Sequence, residues 1–189
     1  MCDVSLRARL FASLSATILI VAVIGGSARG DDANAMKARS LVNAAINMTD
    51  SDQAVKLLWQ ATNIDPGFNE AYVYLGLYYN SRSDFPKVVE VYKKLAQYEP
   101  QQPTVYLNIG EAYMSFTPPK LDDALGYYRK AYQIDPKSSF AALRIGEILA
   151  QKGSRSEALK YLQQASADSA GNPNAAAEAN KVIAQMSGP

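Results

Sequence analysis

From residue 35 onward, apolar and small residues return at intervals of three and four, the spacing of one buried helical face. The same phrase occurs four times: Ala54-x-x-x-Leu58-x-x-Ala61, Val88-x-x-x-Tyr92-x-x-Leu95, Ala124-x-x-x-Tyr128-x-x-Ala131 and Ala158-x-x-x-Leu162-x-x-Ala165. Asp65-Pro66, Glu99-Pro100 and Asp135-Pro136 follow the first three, and the fourth has its proline displaced to Pro173. A proline disfavours helical geometry in the residue before it, so each phrase predicts a helix that stops at a turn. Between the phrases lies a second apolar pattern: Tyr72-x-x-Leu75-Gly76-x-x-Tyr79, Tyr106-x-x-Ile109-Gly110-x-x-Tyr113 and Ala142-x-x-Ile145-Gly146-x-x-Leu149. The glycines are spaced by 34 and then 36 residues. The two patterns alternate, which predicts pairs of helices, A and B. The glycine lets the two helices of a pair approach closely.

Over residues 35–171 this pattern resembles the tetratricopeptide repeat family, whose period is about 34 residues. The resemblance implies an all-α, right-handed α-solenoid of about four helical hairpins, at 35–68, 69–102, 103–138 and 139–171. The likeness is weakest in the first repeat, where Ala38, Leu41, Val42 and Ala45 replace the aromatic, Leu, Gly and Tyr. An end repeat has one neighbour only, so it tolerates such departures. Residues 172–189 are expected to form a capping helix and tail, laid on the fourth repeat through Val182, Ile183 and Met186. The 36-residue step places two extra residues in the turn Ser115–Lys120, which Pro118 and Pro119 stiffen. That turn reads either as a rigid protrusion or as a tolerated insertion.

Residues 1–28 have the pattern of a secretory signal peptide. Arg7 and Arg9 precede a run without charge from Leu10 to Ala28, and Gly26-Ser27-Ala28 suits cleavage after Ala28. An uncleaved anchor is the alternative. In either case the positive residues before the run predict that the rest is exported, to a bacterial periplasm or by a secretory route. Residues 29–34 are read as a linker.

Composition narrows the chemistry further. The leader holds two of 19 basic residues and one of 18 acidic ones, so the remainder carries 17 of each and is neutral. Nucleic acid calls for a basic footprint and is not expected as a partner. Nor is membrane insertion after leader removal. Cys2 is the sole cysteine, it precedes the apolar run, and the chain has no histidine. The exported portion therefore lacks disulfides, thiolate or imidazole metal ligands, and the residues of His- or Cys-dependent triads. No enzyme activity, cofactor or metal is expected.

The resemblance implies a binding module that holds a protein or peptide segment in a groove lined by the A helices. The positions that line it correspond here to Arg39 and Asn43, then Val73, Tyr74, Leu77 and Asn80, then Leu107, Asn108 and Glu111, then Arg144 and Glu147. One branch of the family clamps the C-terminal carboxylate of heat-shock proteins. Tyr74, Thr104 and Asn108 depart from its residue set, so that activity is not expected. Glu111 and Glu147 share one position in adjacent repeats and read as a solvated acidic stripe, suited to a ligand carrying Lys or Arg. Trp59 stands where the other repeats have Lys93, Arg129 and Gln163. It reads either as an exposed partner anchor or as a side chain covered by the N-terminal linker or by an irregular first repeat. Self-association through the end repeats or around Trp59 is the alternative to an adaptor or scaffold role in an envelope or secretion assembly.

Overall fold

The computed structural model describes residues 33–168 and 170–187. The leader expected at 1–28, Cys2 and residues 29–32 lie outside them. The described residues are all α. The helices are α1 (Ala33–Ile46), α2 (Ser51–Ile64), α3 (Asn69–Ser81), α4 (Phe85–Tyr98), α5 (Pro103–Met114), α6 (Leu121–Ile134), α7 (Ser139–Gln151), α8 (Arg155–Ala167) and α9 (Pro173–Ser187). Ala33 and Asn34, read as linker, are helical.

Local chemistry sets the helix ends. Asp50 caps α2, its carboxylate accepting from the backbone N–H groups of Asp52 and Gln53. These bonds, that from Gln53 first, hold its carboxyl below the ordinary carboxylate value. Ser138 caps α7 by accepting from Ala141 N–H at 3.2 Å. Asn172 accepts from Ala175 N–H at 3.0 Å in the first turn of α9. Pro103 opens α5, where a missing N–H costs nothing.

The chain divides between Pro100 and Gln101 into two compact units. In the first, α1 packs on α2, α2 on α3 and α3 on α4, with a lighter contact between α1 and α3. Its core is Ala38, Val42, Ala45, Leu58, Ala61, Leu75, Tyr92 and Leu95. In the second, consecutive helices from α5 to α9 pack in turn, and α9 also reaches α7. Tyr106, Ile109, Tyr128, Ile145, Ile148 and Leu162 form that core.

Both units use the glycines as the spacing requires. A Cβ on Gly76 would stand 2.6 Å from Tyr92 Oη, one on Gly110 2.6 Å from Tyr128 Cε1, and one on Gly146 2.6 Å from Leu162 Cγ. A B-helix side chain therefore fills the space over each A-helix glycine. The final helix differs from expectation in the face it buries. Ala175, Ala176 and Ala179 are buried, while Val182, Ile183 and Met186 are half-buried. Alanine carries no bulk, so it lets α9 lie close.

The longer turn at 115–120 folds back on its own unit. The Phe116 ring stacks on Tyr113 at 5.7 Å, Tyr113 stacks on Tyr127 at 5.6 Å, and Lys120 Nζ lies 4.5 Å from the Phe116 centroid. Thr117 to Lys120 remain exposed.

Candidate functional site

In the first unit the expected ligand face is open. Val73, Tyr74, Leu77 and Asn80 lie on α3 at intervals that place them along one side, and all four are half-buried. Arg39 and Asn43 on α1 are one turn apart and exposed. The Asn43 carbonyl accepts from the Asn47 side chain at 2.8 Å. Apolar and amide groups thus share a surface with a cation, within reach of water.

The second unit is closed at the corresponding positions. Asn108 is 2% exposed and Glu111 4%, and Leu107 is buried as well. The solvated acidic stripe is therefore corrected: Glu111 is an interior residue. Tyr128 Oη–H donates to its Oε1 at 2.5 Å. The Arg144 guanidinium bonds both its oxygens, Nε to Oε1 at 2.7 Å and Nη2 to Oε2 at 3.0 Å. Arg144 Nη1 donates to Glu147 Oε2 at 3.0 Å, and the Phe140 ring lies 5.0 Å below the guanidinium. This is a charge network, with planar bidentate geometry and hydrogen bonds of the stronger, charge-assisted type.

The protonation behaviour follows from that burial. Burial pushes the Tyr128 phenol up, and the Glu111 charge adds to it. For Arg144, burial works against the charge, but Glu111 and Glu147 outweigh it and hold the group ionised. Burial pushes the Glu147 carboxyl up against the pull of Arg144, and Glu178 and Glu111 push it the same way. A ligand carrying Lys or Arg would find one of the two carboxylates already bound and the other shared.

Trp59 is partly covered by residues of the second repeat rather than standing out as an exposed anchor. It is half-buried on α2, its indole N–H donates to Tyr79 Oη at 3.2 Å, and Lys94 Nζ lies 4.4 Å from the ring centroid. The cover comes from α3 and α4 of the same unit. Nearby, Tyr78 Oη–H donates to Asp52 Oδ1 at 2.6 Å, and Arg82 bonds the same oxygen at 3.2 Å. These tyrosine contacts have no signature in the spacing, because each joins residues on separate helices.

Among the described residues no group of three or more His, Cys, Asp and Glu side chains is placed to hold a metal. No described helix is long and apolar enough to cross a membrane.

Residues 120–180, from the start of α6 into α9, match a family model described as tetratricopeptide repeat. Mouse tetratricopeptide repeat protein 21B is 29% identical over 122 residues, which is 64% of this chain and 9% of that protein. The chain thus spans about one eleventh of the length of this curated relative. Two solved structures are also similar. The TPR2B domain of yeast Sti1, in complex with pHsp70, has a TM-score of 0.56 at 22% identity, over 62% of this chain and 94% of that one. A thermophilic TPR protein of Thermus thermophilus has a TM-score of 0.57 at 21% identity, over 79% and 83%. This is the tetratricopeptide fold.

Proposed function

We propose that this tetratricopeptide protein binds a peptide segment of another protein on the α1–α3 face of its first unit. The observation that carries this reading is the half-exposed row Val73, Tyr74, Leu77 and Asn80 beside exposed Arg39 and Asn43. An apolar strip flanked by amides and a cation suits a segment that anchors a few side chains and offers its backbone to hydrogen-bond donors. The yeast Sti1 domain with the same fold was solved with pHsp70, which supports peptide binding as a use of such hairpins. The interior placement of Asn108 and Glu111 leaves Arg144 and Glu147 as the half-exposed candidates of the second unit.

The leader pattern at 1–28 supports export, so the reading extends to an adaptor or scaffold in a cell-envelope or secretion assembly. The test is capture of partners from the cell-envelope fraction by the tagged chain, with mass spectrometry of what is retained. Leu77→Asp and Tyr74→Ala should each remove a partner that the parent chain retains, while circular dichroism stays unchanged. A partner retained equally by both variants would remove the α1–α3 face from consideration.

Self-association is the second reading. It is favoured by Met36, which is 60% exposed on α1 of the end repeat. Light scattering decides it: a mass that rises with concentration and falls back with Met36→Lys supports it, and a constant monomer mass removes it.

A further inference from the structure

In the hairpin α5–α6 the phenol beside the A-helix glycine is given a carboxylate. Tyr128 stands against Gly110, where a Cβ would meet its ring at 2.6 Å. Its hydroxyl donates to Glu111, the next residue, at 2.5 Å. The hairpin α3–α4 repeats the approach to the same closeness, since a Cβ on Gly76 would stand 2.6 Å from Tyr92 Oη. Leu77 follows Gly76 as Glu111 follows Gly110, and a leucine side chain accepts no hydrogen bond. Tyr92 is 1% exposed, and its hydroxyl has no hydrogen-bond partner among the described residues. A buried hydroxyl without a partner lowers stability, which a phenylalanine would not, so its presence calls for a cause.

That hydroxyl belongs to the hairpin whose A-helix face is open. Val73, Leu77 and Asn80 flank Gly76 on α3 and are half-buried. In α5–α6 the side chain that follows the glycine reaches the phenol, so a polar group entering at Leu77 would reach Tyr92 Oη in the same way. Leu77 has to turn aside, and a side chain at the surface changes rotamer far faster than a helix moves. The charges point to an anion. On α1 and α3 the charged residues are Lys37, Arg39 and Glu70, two cations against one anion, and Arg39 is exposed. Burial pushes the Tyr92 phenol up, so it keeps its proton and stays a donor.

We propose that Tyr92 is the hydrogen-bond donor beneath the α1–α3 face and that the segment bound there offers it a carboxylate, an assignment that rests on peptide binding at this face. The carboxylate takes the place that Glu111 takes in α5–α6. The bound segment is therefore acidic at the point where it meets Leu77, with apolar side chains to either side.

One part of the experiment needs no partner. Leu77→Glu supplies the carboxylate from the chain itself, and Tyr92→Phe removes the donor. Urea unfolding of the parent, both single variants and the double variant measures their coupling. Tyr92→Phe should lower the folding constant of the Leu77→Glu chain about tenfold more than that of the parent, because hydrogen bonds to charged groups are the stronger kind. Independent effects would mean that the phenol does not reach this place, and would overturn the proposal. The other part stands whether or not Leu77→Glu folds. It uses a partner that the parent chain retains from the cell-envelope fraction. Tyr92→Phe, with circular dichroism unchanged, should weaken that partner's binding about tenfold. Replacing the acidic residues of its segment by their amides should do the same, whereas a loss on removing its C-terminal residue would assign the carboxylate to the chain end. A partner lost from Leu77→Asp and Tyr74→Ala but held equally by Tyr92→Phe overturns the proposal and leaves the face standing. A partner held equally by all three variants removes the face itself.

Discussion

The hairpins α3–α4 and α5–α6 are built on the same interlock and finish it in opposite ways. In both, a B-helix tyrosine lies over an A-helix glycine, Tyr92 over Gly76 and Tyr128 over Gly110. The residue after the glycine decides what the phenol meets. In α5–α6 it is Glu111, and Tyr128 donates to it at 2.5 Å. In α3–α4 it is Leu77, and Tyr92 Oη is buried without a hydrogen-bond partner. Burial alone pushes that phenol up. One position therefore separates a hairpin with a closed, charged interior from one with an apolar side chain left near the surface. The A-helix face that stays open to solvent belongs to the hairpin whose tyrosine goes unpaired.

The largest way to break this comparison is Arg144→Ala. It leaves the interior Glu111 carboxyl with one phenol for company, and removing one member of a buried pair costs about 3–5 kcal/mol. Urea unfolding of the second unit, followed by hydrogen exchange on α5–α7, should show most of that loss. Next come the glycines. Gly110→Ala should cost about 3 kcal/mol, because Tyr128 is tied to Glu111 and the new methyl group meets its ring. Gly76→Ala should cost less, about 1–2 kcal/mol, since no bond holds Tyr92 in place. Thermal melts of the two variants measure the difference, and equal losses would mean that the phenol bond does not anchor the ring.

The two phenols sharpen the comparison most, and one of them gives the smallest effect. Tyr128→Phe removes a hydrogen bond to a charged group and should cost about 1.5–3 kcal/mol. Tyr92→Phe removes a buried hydroxyl that has no partner, so it should be neutral or stabilising by about 1 kcal/mol. Denaturant midpoints for the pair give the contrast. A loss from Tyr92→Phe as large as that from Tyr128→Phe would erase the distinction between the hairpins.

The helical pairs were legible because they depend on periodicity. Gly76, Gly110 and Gly146 are needed by contacts one hairpin wide, and Pro66, Pro100 and Pro136 act on the chain beside them. The candidate site was less legible. Glu111 and Glu147 hold the same place in their repeats, and spacing treats them alike. Their difference comes from the partner on the B helix, a phenol at Tyr128 and a leucine at Leu162. Glu111 is drawn into the interior by Tyr128 and Arg144, whereas Glu147 has only one nitrogen of Arg144. Trp59 misled for a related reason. Lys93, Arg129 and Gln163 mark its position as outward-facing, but a large ring there finds Tyr79 and Lys94 on later helices. The alanine face of α9 carries no strong hydrophobic signature: Val182, Ile183 and Met186 are the more apolar residues, but close approach, which only small side chains permit, decides that Ala175, Ala176 and Ala179 are the buried ones.

The sole indole of the chain has a use of its own. Trp59 has its N–H on Tyr79 and an ammonium against its ring, so its emission depends on how α2, α3 and α4 are held. Leu77 and Tyr74 share α3 with Tyr79. A segment that settles on that helix and shifts it would change the fluorescence of Trp59, giving an unlabelled signal with a single assigned source.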